Sequence, residues 1–191
     1  GSEEFDLFVK EVTREMTAKA GQKCTAIRRT LVPEAMVEDV MQALTKRLDG
    51  VKIGDPSIEG VRMGPLAGRP QVDEVRKNVE RIAKSAERVY GSVDQVEVVG
   101  ADAKRGAFFP TLLFYSKDPF GKREPHDVEA FGPVNTVMPY RSVDDAIEVA
   151  KVGRGSHVGS LFTADDAVAK RVVLGTAPYH GRLLVVNRHS A

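Results

Sequence analysis

The segment VNTVMPYRSVDDAIEVAKVGRGSHVGSLFTADDAVAKRVVLGTAPYHGRLLVV (residues 134–186) decides the fold. Its first stretch, Val134–Pro139, reads as a strand. SVDDAIEVAKV (142–152) then switches to helical spacing, with Ser142 as cap and Asp145 three residues on. Val158–Phe162 returns to strand character. TADDAVAKRVVL (163–174) repeats the capping arrangement with Thr163 and Asp166, and Arg182–Val186 closes as a strand. This strand–helix–strand–helix–strand order predicts parallel pairing through right-handed crossovers. The predicted class is α/β, a parallel sheet with flanking helices.

Working outward, Phe5, Phe8, Val9, Val12 and Met16 recur at spacings of three and four, which predicts an amphipathic helix that stops at Gly21. Ala26–Val32 reads as a strand. Pro33 and Glu34 open a second helix with Val37, Val40, Met41, Leu44 and Leu48 on its apolar face. Residues 49–70 form a long connection punctuated by five glycines and three prolines, and connections of that length are commonly functional. A third helix is predicted from Pro70 to about Tyr90, with short strands near Val96–Val99 and Thr111–Tyr115.

The 191 residues suffice for one domain with a substantial core. Basic and acidic side chains, 28 and 27, are mixed along the chain, which argues against a nucleic-acid surface. No apolar run reaches the roughly 20 residues that span a bilayer. A single cysteine forms no internal disulfide, and a reducing, cytoplasmic setting is expected. Gly1 and Ser2 read as the remnant of a cleaved tag, and residues 3–191 as part of a longer protein.

That single thiol, Cys24, lies in AGQKCTAIRRT (20–30). Two readings stand on chemistry alone. A free cysteine is commonly a small buried hydrophobe. Against that, Gln22, Lys23 and Thr25 are polar, Gly21 permits close backbone approach, and Lys23, Arg28 and Arg29 favour a thiolate. The four histidines, His126, His157, His180 and His189, supply no recognisable base for a cysteine protease, and no Cys or His pair has zinc-ligand spacing. GRGSHVG (153–159) fits neither the P-loop nor the dinucleotide fingerprint. In VEAFGPVNTV (128–137), Glu129 precedes a buried strand; it either binds something there, caps a turn or pairs with a surface base, and Phe131 is either a ligand contact or core.

Taken together, these segments resemble the catalytic domain of the NAD(P)-dependent aldehyde dehydrogenase superfamily. AGQKCTAIRRTLVP is similar to its Gly-Gln-x-Cys loop and following strand. IGDP with VRMGPL (53–66), GAFFPTLL (106–113), EAFGPV (129–134) and GRLLVVN (181–187) resemble its other motifs, in the same order. Within the superfamily, REMTAKAGQKCTAIRR is most similar to the branch that forms half of bifunctional proteins of phenylacetic acid degradation. The resemblance implies that Cys24 is the nucleophile, that Glu129 binds the nicotinamide ribose and that Phe131 packs near the cofactor ring. It implies NADP or NAD as cofactor, a small aldehyde as substrate (a CoA-linked semialdehyde), and a homo-oligomeric full-length parent. It also implies that the cofactor-binding domain, the general-base glutamate and an oxyanion-hole asparagine belong to segments preceding this one, so that the 191 residues alone are inactive. An acylating relative that transfers to CoA, and a non-catalytic structural module, are the alternatives.

Overall fold

The computed structural model of the chain describes residues 2–190. Helix α1 spans Glu3–Thr17; Ser2 caps it by accepting from the Phe5 N–H at 3.2 Å, and Glu3, Glu4 and Asp6 face the positive end of its dipole. Strand β1 follows at Arg29–Pro33. A 3-10 turn over Glu34–Met36 separates it from α2 at Val37–Asp49, so Pro33 ends the strand and the helix proper starts four residues later. Helix α3 runs over Arg69–Ile82.

Beyond Ile82 the expected continuation of α3 to Tyr90 does not occur. Glu87–Tyr90 is instead strand β2, antiparallel to β3 at Leu112–Tyr115. The helical spacing of Ala86 is coincidental, because Ala86 is buried beneath the turn that leads into a β-branched and aromatic edge. Val96–Val99 is likewise no strand. Only Val99 bridges to Gly54, while Val96 and Val98 pack against the core from a loop.

A short helix, α4, covers Glu124–Asp127, and β4 is Val134–Tyr140. The segment 142–186 forms α5 (Val143–Val152), β5 (Ser156–Phe162), α6 (Asp166–Thr176) and β6 (His180–Val186). Ser142 caps α5 as expected. The cap of α6 is Asp165 rather than Thr163, whose hydroxyl accepts from the Asp165 N–H at 3.1 Å and only steadies the turn.

The main sheet has the order β1-β4-β3-β2, with β1, β4 and β3 mutually parallel. Strands β5 and β6 pair in parallel, as predicted, but as a separate two-stranded sheet. The parallel alternation therefore holds, and the single continuous sheet does not. Helices cover both faces of the main sheet. Leu112 and Phe114 of β3 enter the core under α3, with Val75, Val79 and Ile82. Leu113 between them enters the other core, with Val12, Val40 and Leu44 of α1 and α2. The period of two along β3 thus distributes one strand between two cores.

Strand β1 is tied to α4 and α5 by one partly buried cation. Arg29 donates through Nη1 to His126 Nδ1 at 2.9 Å and to Val149 O at 3.2 Å, and through Nη2 to Ala150 O at 3.3 Å. It thereby caps the carbonyl end of α5. Desolvation lowers the Arg29 pKa to about 10. His126 is fully buried, and that burial, with the adjacent Arg29 and Arg123, pushes its pKa down to about 4.

Two outcomes follow for stability. Leu44 has no exposure, so Leu44→Ala should cost about 3 kcal/mol, seen as a lower urea midpoint at unchanged m-value. Between its unfolded pKa near 6.5 and its folded value near 4, His126 takes a proton only when the chain unfolds. Stability is therefore full above that window and falls as pH drops through it, by on the order of 1–3 kcal/mol. Urea unfolding from pH 7 to pH 4.5 should show that slope, and His126→Asn should flatten it.

Candidate active site

Helix α1 leaves its last turn through a backbone that turns left-handed. Ala18–Gly21 forms one tight turn in which Lys19, Ala20 and Gly21 have φ of 53°, 52° and 71°. Two non-glycine residues in that region store strain, and a packed surrounding has to hold them there. Gly21 is required by contact as well as by φ. A Cβ at Gly21 would lie 2.2 Å from Gly132 O, so the backbone before Cys24 rests directly on the backbone of the Phe-Gly-Pro segment.

This turn delivers Cys24 to the surface. The thiol is free and exposed, so the buried-hydrophobe reading of Cys24 is set aside. Lys23 does not face it as a free cation, since its ammonium pairs with Glu15 at 2.6 Å. Gln22 accepts the Ala67 N–H on its side-chain oxygen at 2.7 Å, which ties the cysteine loop to the long connection. The connection is itself anchored by Leu66 N–H to Ala107 O at 2.9 Å. Four of the segments singled out in the sequence therefore meet around one loop, and sequence spacing alone gave no sign of these cross-links.

Glu129 and Phe131 belong to the segment on which that loop rests. Asn135, at the start of β4, donates from its side-chain amide to Ile27 O at 3.0 Å, and Asn78 of α3 donates to Glu129 O at 3.2 Å. The Glu129 side chain is exposed and enters none of the ion pairs among the described residues. It caps no turn. Phe131 has φ of 54° and is 44% exposed, so it is not core: a bulky residue is held in a strained conformation with its ring toward solvent. Cys24 and Glu129 both line a cavity of about 820 Å³, which continues between β1 and β5 past Phe8, Leu31, His157 and Leu161. Phe131 lies outside its lining.

The cavity runs the length of β1 and β5, and its lining includes residues just before three of the parallel strands. Cys24 precedes β1, Glu129 precedes β4, and Gly155, which lines the cavity, immediately precedes β5. Arg28 and Arg29 lie along the same wall, with the buried His126 behind them, and sequence reasoning did not connect these residues to Glu129. Arg28 donates to His126 O at 2.9 Å. An exposed thiol beside an unpaired carboxylate, an aromatic ring held to solvent and a groove of this size can accommodate an elongated ligand with a reactive carbonyl at one end.

Comparison with known proteins converges on one family. The profile of the aldehyde dehydrogenase family matches residues 2–177. A 3,4-dehydroadipyl-CoA semialdehyde dehydrogenase of Aromatoleum evansii is 43% identical over 187 residues, covering 98% of this chain and 36% of that protein. A putative aldehyde dehydrogenase of Staphylococcus haemolyticus is 32% identical, covering 87% of this chain and 35% of that protein. Betaine aldehyde dehydrogenase from Staphylococcus aureus, solved in complex with NAD+, superposes with a TM-score of 0.85 at 26% identity, over 95% of this chain and 35% of that one. The chain thus spans about a third of the length of these relatives. Over that third, the profile match and the 43% identity place it in the aldehyde dehydrogenase family.

Proposed function

We propose that residues 3–191 are part of the catalytic domain of a longer enzyme that oxidises an aldehyde to its acid with NAD or NADP. The observation that carries this reading is the pairing of an exposed Cys24 and an uncommitted Glu129 in one cavity. The Cys24 thiolate adds to the aldehyde carbon, and the carbonyl oxygen becomes an oxyanion. The Cys24 backbone N–H has no acceptor among the described residues and is free to donate to that oxygen. Loss of hydride from the same carbon restores the C=O as a Cys24 thioester. Water then attacks the thioester, the thiolate leaves, and the acid departs. Thiol chemistry suits both halves, since sulfur adds readily to a carbonyl and leaves well from a thioester.

The nicotinamide cofactor supplies the hydride acceptor when bound. The residues present fit it. Glu129 offers sugar hydroxyls an exposed carboxylate with no ion-pair partner among the described residues, and Phe131 offers an exposed ring. The similarity to a CoA semialdehyde dehydrogenase supports a CoA-linked semialdehyde as the substrate.

In the full-length parent, Cys24→Ala should abolish NAD(P)H formation while the protein remains folded. Glu129→Gln should raise the cofactor KM about tenfold, a lost charge-assisted contact, with a smaller effect on the aldehyde KM. The 191 residues alone should be alkylated at Cys24 by iodoacetamide, read by intact mass, yet should form no NAD(P)H with any aldehyde. Turnover by this chain would overturn the view that the rest of the enzyme is needed.

A further inference from the structure

We propose that Arg28, Arg29 and His126 are positioning residues that fix the Glu129 segment in the same rigid frame as Cys24. The proposal rests on the reading of Cys24 as nucleophile and Glu129 as cofactor contact. Arg28 lies four residues after Cys24 and reaches across to the chain just before Glu129. Its Nη1 donates to His126 O at 2.9 Å, with Val128 O at 3.5 Å as a longer second acceptor. Arg29 reaches the same segment from the next position of the strand, through His126 Nδ1 at 2.9 Å.

The protonation of His126 follows from its partners. A guanidinium only donates, so Nδ1 must accept and the ring proton must sit on Nε2. From there it donates to Pro119 O at 2.7 Å. The imidazole is thus neutral, in one tautomer, and bonded at both nitrogens. It fixes the loop between Pro119 and Glu129 at two points. On the opposite side Asn78 holds Glu129 O at 3.2 Å, so the Glu129 backbone is gripped from α3 as well as from β1, while its carboxylate stays free.

Neither Arg28 nor Arg29 meets a carboxylate within 4.0 Å among the described residues. Both arginines are partly buried, and holding a guanidinium there without a counter-ion costs desolvation that an aliphatic side chain would avoid. What the arginines contribute instead is directional. Their donors select carbonyls at 126, 149 and 150 and one imidazole nitrogen, which sets the loop's register on the nucleophile strand.

The test is steady-state kinetics of the full-length enzyme with the cofactor varied at saturating aldehyde, beside thermal melting. Arg28→Met and His126→Leu should each raise the cofactor KM about tenfold, the loss of one or two directed hydrogen bonds, with kcat changed less than threefold. His126→Asn, whose side-chain oxygen can accept from Arg29, should restore KM to within about threefold of the unsubstituted enzyme. If Arg28→Met and His126→Leu lower the melting temperature but leave the cofactor KM unchanged, these residues only stabilise the fold and the proposal fails. Should His126→Leu not fold, Arg28→Met and Arg28→Lys carry the test at the partly exposed end of the cluster. Glu129→Gln is the control. If it too leaves the cofactor KM unchanged, the assignment of Glu129 has failed and the proposal falls with it. A Glu129→Gln effect without an Arg28→Met effect refutes the positioning role alone.

Discussion

Everything at the site depends on two backbones that touch. Gly21 and Gly132 approach so closely that a Cβ on Gly21 would overlap the Gly132 carbonyl, and one on Gly132 would meet Val75 of α3 at 2.9 Å. That contact joins the end of α1 to the start of β4, two segments more than a hundred residues apart in sequence. It forces the chain after α1 into consecutive left-handed residues, and that reversal presents Cys24 outward. The strain is held by the cross-links around it: Gln22 to Ala67, Asn135 to Ile27, Arg28 to His126. Remove the contact and the thiol and carboxylate lose their common frame.

The arginines answer a local excess of acceptors. Strand β1 begins beside the last turn of α5, whose free carbonyls carry partial negative charge. Arg29 neutralises the end of α5, and Arg28 converts loop carbonyls into fixed attachment points.

How far this could be read in the sequence depends on whether the determinants were local. The helices and most strands were legible because their apolar periodicity and caps lie within a dozen residues, as with Ser142 on α5. Cys24, Glu129 and Phe131 were singled out through resemblance, since their own chemistry left buried and functional readings open. The failures were tertiary. Glu87–Tyr90 keeps a helix-compatible spacing, and only pairing with β3 makes it a strand. Thr163 satisfies the capping pattern as well as Asp165 does, and only the geometry of the turn selects the aspartate. The split into two sheets, and the role of His126 as a junction, rest on contacts between residues that no local pattern connects.

The two sheets leave one feature whose effect reaches past the site. Strand β1 is paired only with β4, and β5 only with β6, so each keeps an outer edge of unpaired peptide groups, and both strands border the same cavity. Its walls are apolar on either side, with Phe8, Val12 and Val40 from one layer and Ala146, Val168 and Val172 from the other. Open edges are templates for strand addition, so two facing edges with apolar walls have the shape of a slot for extended main chain, with backbone hydrogen bonds on either side and room for apolar side chains above and below.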